Sequence, residues 1–396
     1  MPRIIVRHGL GRYPVIIEAG ALTDLAGLVA AITPNHRPII ITDRNVGRAV
    51  PLRPRWPRLV VPPGEGSKTR SRWAGLTDQL LALGFGRDSV IVAVGGGVVG
   101  DLAGFVAATY LRGIPVILVP TSLLAMVDAS VGGKTGVNSP AGKNLIGAFH
   151  PPAAVVIDPA VLGTLPDRHY RAGLVEATKH GLVASPRYAR WLERHREALI
   201  GRDPAVVARL VAGSVAIKAR IVTLDEREGG RRAVLNAGHT VGHAVEQASG
   251  YRIGHGDAVA LGLVAEATLA ARLGRIGSDR PAALAAWFLS LGVPLRWPAA
   301  SDARLMAIMG RDKKTVAGRL RFALLDRGRP VAGRRAGWVV ACSRASVRQA
   351  LAATRATLAA TRSALGTARS AIAASRRGGR GAAIHRLSTS GKNPTT

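Results

Sequence analysis

The chain predicts an α/β nucleotide-binding part followed by a mainly α-helical part, and three observations carry this. Short apolar runs alternate with helical spacing up to about residue 165. A glycine cluster follows one such run and opens a helix. Strand-like runs become few between residues 169 and 273. The expected division is 1–165 for a Rossmann-like parallel-sheet domain, 166–353 for a helical domain, and 354–396 for a basic extension.

The strand candidates are residues 37–42 (RPIIIT), 57–61 (PRLVV), 89–94 (SVIVAV), 114–119 (IPVILV) and 153–157 (AAVVI). Short continuous apolar runs of this kind suit a parallel sheet buried on both faces. Residues 68–83 have helical spacing, and beyond the turn LPDRH so do residues 177–183, 204–221, 239–248 and 257–273. Residues 320–325 and 338–341 suggest a small strand pair. Arg348, Arg355, Arg362, Arg369 and Arg376 recur every seven residues, and Leu351, Leu358, Leu365 and Ile372 keep the same step. One large apolar residue per heptad makes a thin seam. The expectation is a helix extending the last one of the body, with disorder from Gly378 to Thr396.

Of 396 residues, 47% are hydrophobic, enough to bury a large core. The single cysteine, Cys342, excludes a disulfide within the chain and a cysteine-rich zinc finger. The N-terminus lacks the apolar region of a secretory signal. The longest apolar stretch, residues 89–111, is broken by glycines and Asp101, against the about 20 apolar residues a membrane span needs. A soluble, cytoplasmic protein is expected. The net charge of +31 attracts anions: phosphorylated metabolites, nucleic acid or acidic lipid.

Three constellations could carry chemistry. Gly95-Gly96-Gly97-Val98-Val99-Gly100-Asp101 satisfies G-x-G-x-x-G between a strand and a helix, where glycines let a pyrophosphate approach the helix start. The acidic residue expected about 20 positions on is missing. Thr121 and Ser122 stand there, while Asp43 and Glu65 follow other strands. The loop from Asp128 to Lys134, with Asn138, Lys143, Asn144 and the upstream Arg112, suits an oxyanion pocket or a solvated basic loop. The third set is histidine-based. His239 and His243 are four apart on one helix face, Glu176 and Lys179 share a face of another helix, and His255 follows in GHGDA. Catalytic zinc takes three protein ligands. The i, i+4 pair is the first geometric choice, and spacing leaves the ligand set open.

Together these stretches resemble the 3-dehydroquinate synthases. The resembling segments are GGGVVGDLAGFVAATYLRG, VPTSLLAMVDASVGGKTGVN, GKNLIGAFHPP, LVEATKHG, DERE, LNAGHTVGHAVE, HGDAV and RDKK, which run in the family's order to about Ala353. The resemblance implies zinc or cobalt on Glu176, His239 and His255, with His243 facing the substrate. It implies substrate positions at Lys134, Lys143, Asn144, Lys179, Lys218, Arg232 and Asn236. Lys313 or Lys314 would close over the phosphate, and a homodimer would supply Arg112 in trans. NAD would lie on Asp43, Glu65, Lys68, Gly97, Asp101, Thr121, Ser122 and Asp128, with Lys134 and Lys143 at its edge. The implied reaction turns 3-deoxy-D-arabino-heptulosonate 7-phosphate into 3-dehydroquinate and phosphate, through transient oxidation, elimination, re-reduction and aldol closure. Rival readings are another sugar phosphate cyclase, a metal-dependent polyol dehydrogenase, and a binder of RNA or of a membrane surface through the basic tail.

Overall fold

The computed structural model describes residues 3–9, 11–310, 319–326 and 338–387. The first part is built on a seven-stranded sheet in the order β1-β2-β9-β6-β5-β3-β4. Its strands are β1 (Arg3–His8), β2 (Gly11–Ile17), β3 (Arg37–Asp43), β4 (Arg58–Val61), β5 (Ser89–Gly95), β6 (Val116–Pro120) and β9 (Ala154–Ile157). The five strand candidates become β3, β4, β5, β6 and β9, which pair in parallel with their neighbours. β5 and β6 are buried along their whole length, as their unbroken apolar runs require. The sheet is not wholly parallel: β1 and β2 form an antiparallel edge hairpin, and β2 joins β9 in parallel.

Helices α1 (Leu25–Ile32), α2 (Arg44–Ala49), α3 (Arg70–Ala82) and α4 (Gly97–Thr109) connect these strands. The basic segment after Asp128 is a strand pair and not a loop, with most of its second strand exposed to solvent. It forms a separate antiparallel hairpin of β7 (Lys134–Ser139) and β8 (Gly142–Phe149). Its glycines allow this: a Cβ on Gly147 would lie 2.1 Å from Thr135 O.

The rest is mostly helical: α5 (Asp167–Ala184), α6 (Pro186–Arg194), α7 (Arg196–Ile200), α8 (Pro204–Leu224), α9 (His239–Ala248), α10 (His255–Arg272), α11 (Arg280–Ser290) and α12 (Asp302–Gly310). The small strand pair is β10 (Leu320–Phe322) with β11 (Val340–Cys342), antiparallel. α10 is buried over most of its length. A Cβ on Gly262 would fall 1.9 Å from Gly238 O, so α10 lies directly against the start of α9.

The last helix, α13, spans Arg344–Leu387. Its Val347, Leu351 and Leu358 are buried, and Arg355 forks onto Asp302. The helix continues past Gly378, where glycine content predicts disorder, because propagation from a formed helix needs no new nucleus. Residues 388–396 lie outside the described residues. Among the described residues, no helix is long and apolar enough to cross a membrane.

Candidate active site

The parallel strands deliver their C-terminal ends to one edge. Asp43 ends β3, Glu65 follows β4, Gly97 follows β5 and Thr121 follows β6. Chain order changes direction between β3 and β5, the place where open α/β sheets take ligands. Gly96 caps α4 without a side-chain bond, leaving first-turn N–H groups suited to an anion. A Cβ on Gly95 would lie 2.5 Å from Val99 Cβ, so the turn requires glycine there. Gly95, Gly96, Gly97, Gly100, Asp101 and Thr135 help line a pocket at this point.

Around it, Asp43 caps α2 through Asn45 N and Val46 N at 2.8 and 3.0 Å. Ser122 Oγ accepts from Ala125 N at 3.3 Å. Buried Lys68 donates to Asp101 Oδ2 at 2.6 Å and to Asn144 Oδ1. Asn138 Nδ2 donates to Glu65 Oε1 at 2.8 Å, and Asn144 N to Asn138 Oδ1 at 2.9 Å. This net ties the β7–β8 hairpin to α4 and to the segment that precedes α3.

The cluster on the helical side joins three elements. Glu176 comes from α5, His239 opens α9 and His255 opens α10. Glu176 Oε1 lies 3.7 Å from His239 Nε2 and 3.6 Å from His255 Nε2. Glu176 is fully buried, and neither carboxylate oxygen has a hydrogen-bond partner. Lys179 Nζ forms an ion pair with Oε2, outside hydrogen-bond geometry. Burial works against ionisation, yet Lys179, His255 and His239 hold Glu176 well below the usual carboxylate range. Burial and then Lys179 push His239 well down, leaving it neutral. His239 Nδ1 contacts Ala237 O at 3.1 Å, so Nε2 is the free ring atom. One carboxylate and two imidazoles with donor atoms within 4.8 Å fit a divalent metal of the zinc or cobalt kind. His243 is exposed one turn along α9, its ring 5.2 Å from that of His239 and 6.2 Å from that of His255.

Asp128 joins the two regions. Ala129 and Ser130, which follow it at the end of the turn Ala125–Ala129, line the glycine pocket. Its carboxylate lies in range of Glu176 and His180. Lys218 Nζ reaches Asp128 Oδ1 at 2.5 Å and Asp128 O at 2.6 Å. Burial opposes ionisation of Asp128, but Lys218 and Lys179 hold it well below its ordinary value.

Beyond lies the basic group. Lys134 pairs with Glu228 Oε2, and Asn236 Nδ2 donates to Glu228 Oε1 at 2.6 Å. Arg232 is buried, donating to Glu226 O at 2.5 Å and to Gly132 O at 3.3 Å. Lys143 Nζ donates to Glu246 Oε1 at 3.3 Å and sits 4.4 Å over the Tyr251 ring. Arg112 is exposed, in left-handed backbone (φ 67°), on the turn after α4. Lys313 and Lys314 lie outside the described residues. Sequence reasoning missed the acids of this region, Glu228 and Glu246, although both stand inside the quoted stretches DERE and LNAGHTVGHAVE. Their signal was an acid beside arginines for Glu228 and an acid after two histidines for Glu246.

A glycine-edged crevice on a parallel sheet, beside a carboxylate–histidine cluster and lysines, defines an α/β enzyme that handles anionic substrates. The sequence model described as 3-dehydroquinate synthase N-terminal matches residues 58–172, and the one described as 3-dehydroquinate synthase C-terminal matches residues 173–315. A 3-dehydroquinate synthase of Halorhodospira halophila is 46% identical over 334 residues, covering 81% of this chain and 92% of the relative. Among solved structures, 2-deoxy-scyllo-inosose synthase with carbaglucose-6-phosphate, NAD+ and Co2+ is similar at a TM-score of 0.80. It is 25% identical, with 88% of this chain and 99% of that one covered. A 2-epi-5-epi-valiolone synthase from Streptomyces hygroscopicus with NAD+ and Zn2+ bound reaches a TM-score of 0.75 at 26% identity, covering 87% and 96%. The chain belongs to the 3-dehydroquinate synthase family.

Proposed function

We propose that the chain converts 3-deoxy-D-arabino-heptulosonate 7-phosphate to 3-dehydroquinate and phosphate, as a carbon–oxygen lyase of aromatic amino-acid biosynthesis in the cytoplasm. The observation that carries this is Glu176: a fully buried carboxylate with Lys179 on Oε2, whose Oε1 faces two histidine Nε2 atoms at 3.6 and 3.7 Å. Lys179 balances Oε2 of this carboxylate, and a metal on Glu176, His239 and His255 gives its Oε1 and the two imidazole Nε2 atoms a common partner. When bound, NAD supplies a reversible hydride acceptor and zinc or cobalt supplies Lewis acidity.

The chain's own residues bind and orient. Gly97 at the start of α4 receives the nucleotide pyrophosphate. Asp43, Glu65, Lys68, Asp101, Thr121, Ser122 and Asp128 surround the nucleotide, with Lys134 and Lys143 at its edge. Lys134, Asn144, Asn236, His243 and Arg112 of the partner subunit hold the substrate phosphate. Lys313 or Lys314 closes over it. Arg232 keeps spare guanidinium N–H groups for the substrate carboxylate. Lys179 and Lys218 place positive charge beside the reacting oxygens, and His243 or Lys179 moves protons. The departing phosphate accepts the C6 proton. The parts 1–165 and 166–353 act as two domains with the site between them, in a homodimer.

The test is phosphate release from this substrate with catalytic NAD and zinc. Phosphate and 3-dehydroquinate form together without net NADH, and chelation stops both. A folded, metal-loaded, NAD-bound protein that leaves the substrate unchanged overturns the reading.

A further inference from the structure

We propose that Glu246 is a positioning residue, which orients His255 for metal binding and ties the β7–β8 hairpin to the metal side of the site. The inference rests on the reading that Glu176, His239 and His255 hold a divalent metal. Glu246 lies near the end of α9 and is 4% exposed, a carboxylate too buried to be a solvated surface charge. Its two oxygens serve two different elements. Oε2 accepts from His255 Nδ1 at 3.3 Å, and Oε1 accepts from Lys143 Nζ of β8 at 3.3 Å.

A carboxylate acceptor at Nδ1 selects the tautomer in which Nε2 carries the lone pair and fixes the ring's rotation. That same Nε2 points to Glu176 Oε1. His239 achieves the same with a backbone acceptor, Ala237 O. His243, Glu246 and His255 also form a compact donor group, so direct ligation by Glu246 is the alternative. The partners separate the two carboxylates: both oxygens of Glu246 are taken up by hydrogen bonds from His255 and Lys143, whereas Glu176 has Lys179 on Oε2 and turns Oε1 to the Nε2 atoms of His239 and His255. Glu246 therefore has the environment of a supporting group and Glu176 that of a ligand.

The consequence is mechanical. Lys143 reaches the helical side through Glu246, while its neighbour Asn144 reaches Lys68 on the nucleotide side. The hairpin carrying both is thereby fixed relative to the metal ligand His255.

The experiment measures cobalt(II) affinity by chelator competition, with the cobalt absorption spectrum, on the full chain and on Glu246→Gln. Glutamine keeps the volume but cannot accept from both donors. Expected is about 10–100-fold weaker cobalt binding for E246Q, with a shifted spectrum that keeps the same ligand count. Unchanged affinity and spectrum overturn the inference. Loss of a carboxylate ligand from the spectrum overturns it in favour of direct ligation. If the native chain itself fails to bind cobalt, the metal reading falls and takes this inference with it. Should E246Q not fold, nitrogen-15 histidine spectra of the native metal-loaded chain decide: His255 bound through Nε2 with Nδ1 protonated is expected, and binding through Nδ1 overturns the inference.

Discussion

Glu228 closes an ion pair with Lys134 on the basic side of the site. The same carboxylate accepts from Asn236, so an internal anion occupies two donors that the proposed function assigns to the substrate phosphate. A phosphate dianion must displace it. Lys134 is 49% exposed, so solvent screens the pair and the effect is moderate. Glu228→Gln is expected to tighten inorganic phosphate binding about 2–5-fold, read by calorimetry, through the added net positive charge. Unchanged or weaker binding removes Glu228 from this role.

The loop that carries Glu228 predicts an acid limb in stability. Asp225 accepts backbone N–H groups from Gly229, Gly230 and Arg232 at 2.9, 2.8 and 2.8 Å. Burial opposes ionisation, but these donors hold Asp225 below its ordinary value, and Lys134 and Asn236 do the same for Glu228. Both folded-state values are depressed. Their stabilisation is therefore complete above the unfolded carboxylate values of about 4 and is lost as pH falls through the folded ones. Thermal unfolding is expected to hold level from about pH 5 upward and to decline below about pH 4. Asp225→Asn is expected to flatten that limb, and an unchanged slope counts against the loop as its source.

Lys68 and Asp101 predict a rescue. Lys68 is almost fully buried and Asp101 about a quarter exposed, at 2.6 Å. Removing the cation leaves a carboxylate that burial already pushes upward. Lys68→Met is expected to cost about 2–3 kcal/mol, somewhat less than a fully buried pair. The double variant Lys68→Met with Asp101→Asn recovers part of it. Additive losses in chemical denaturation show that the pair is not coupled.

The parallel strands were legible because stretches such as Val90, Ile91, Val92, Ala93 and Val94 are unbroken apolar runs. The helices around His239 and His255 were legible from their apolar spacing. The β7–β8 hairpin was not: Lys134, Gly136, Lys143, Asn144 and Gly147 have neither alternation nor apolar continuity, and its order comes from close backbone packing and from Lys68. Juxtaposition was the least legible property. Local spacing favours His239 with His243, whereas the structure sets His239 with Glu176, 63 residues earlier in sequence, and with His255 at the start of the next helix. That arrangement depends on how α5, α9 and α10 pack, which no local pattern encodes.

The packing of α9 on α10 gives the last prediction. Gly262 and Gly238 bring the two helices so close that a Cβ on Gly262 would lie 1.9 Å from Gly238 O and 2.8 Å from Gly242 N. These are backbone atoms, so no side-chain rotation relieves the contact. Gly262→Ala must therefore move one helix away from the other, and His239 and His255, at the two helix starts, move apart with them. Overpacking of this kind costs about 1–3 kcal/mol. If the closeness served stability alone, Gly262→Ala would lower the unfolding midpoint and leave cobalt affinity of the folded protein unchanged. Because the histidines ride on the displaced helices, metal affinity is expected to fall about tenfold or more in protein that is still folded. Measuring both quantities on the same preparation separates the two roles of the contact.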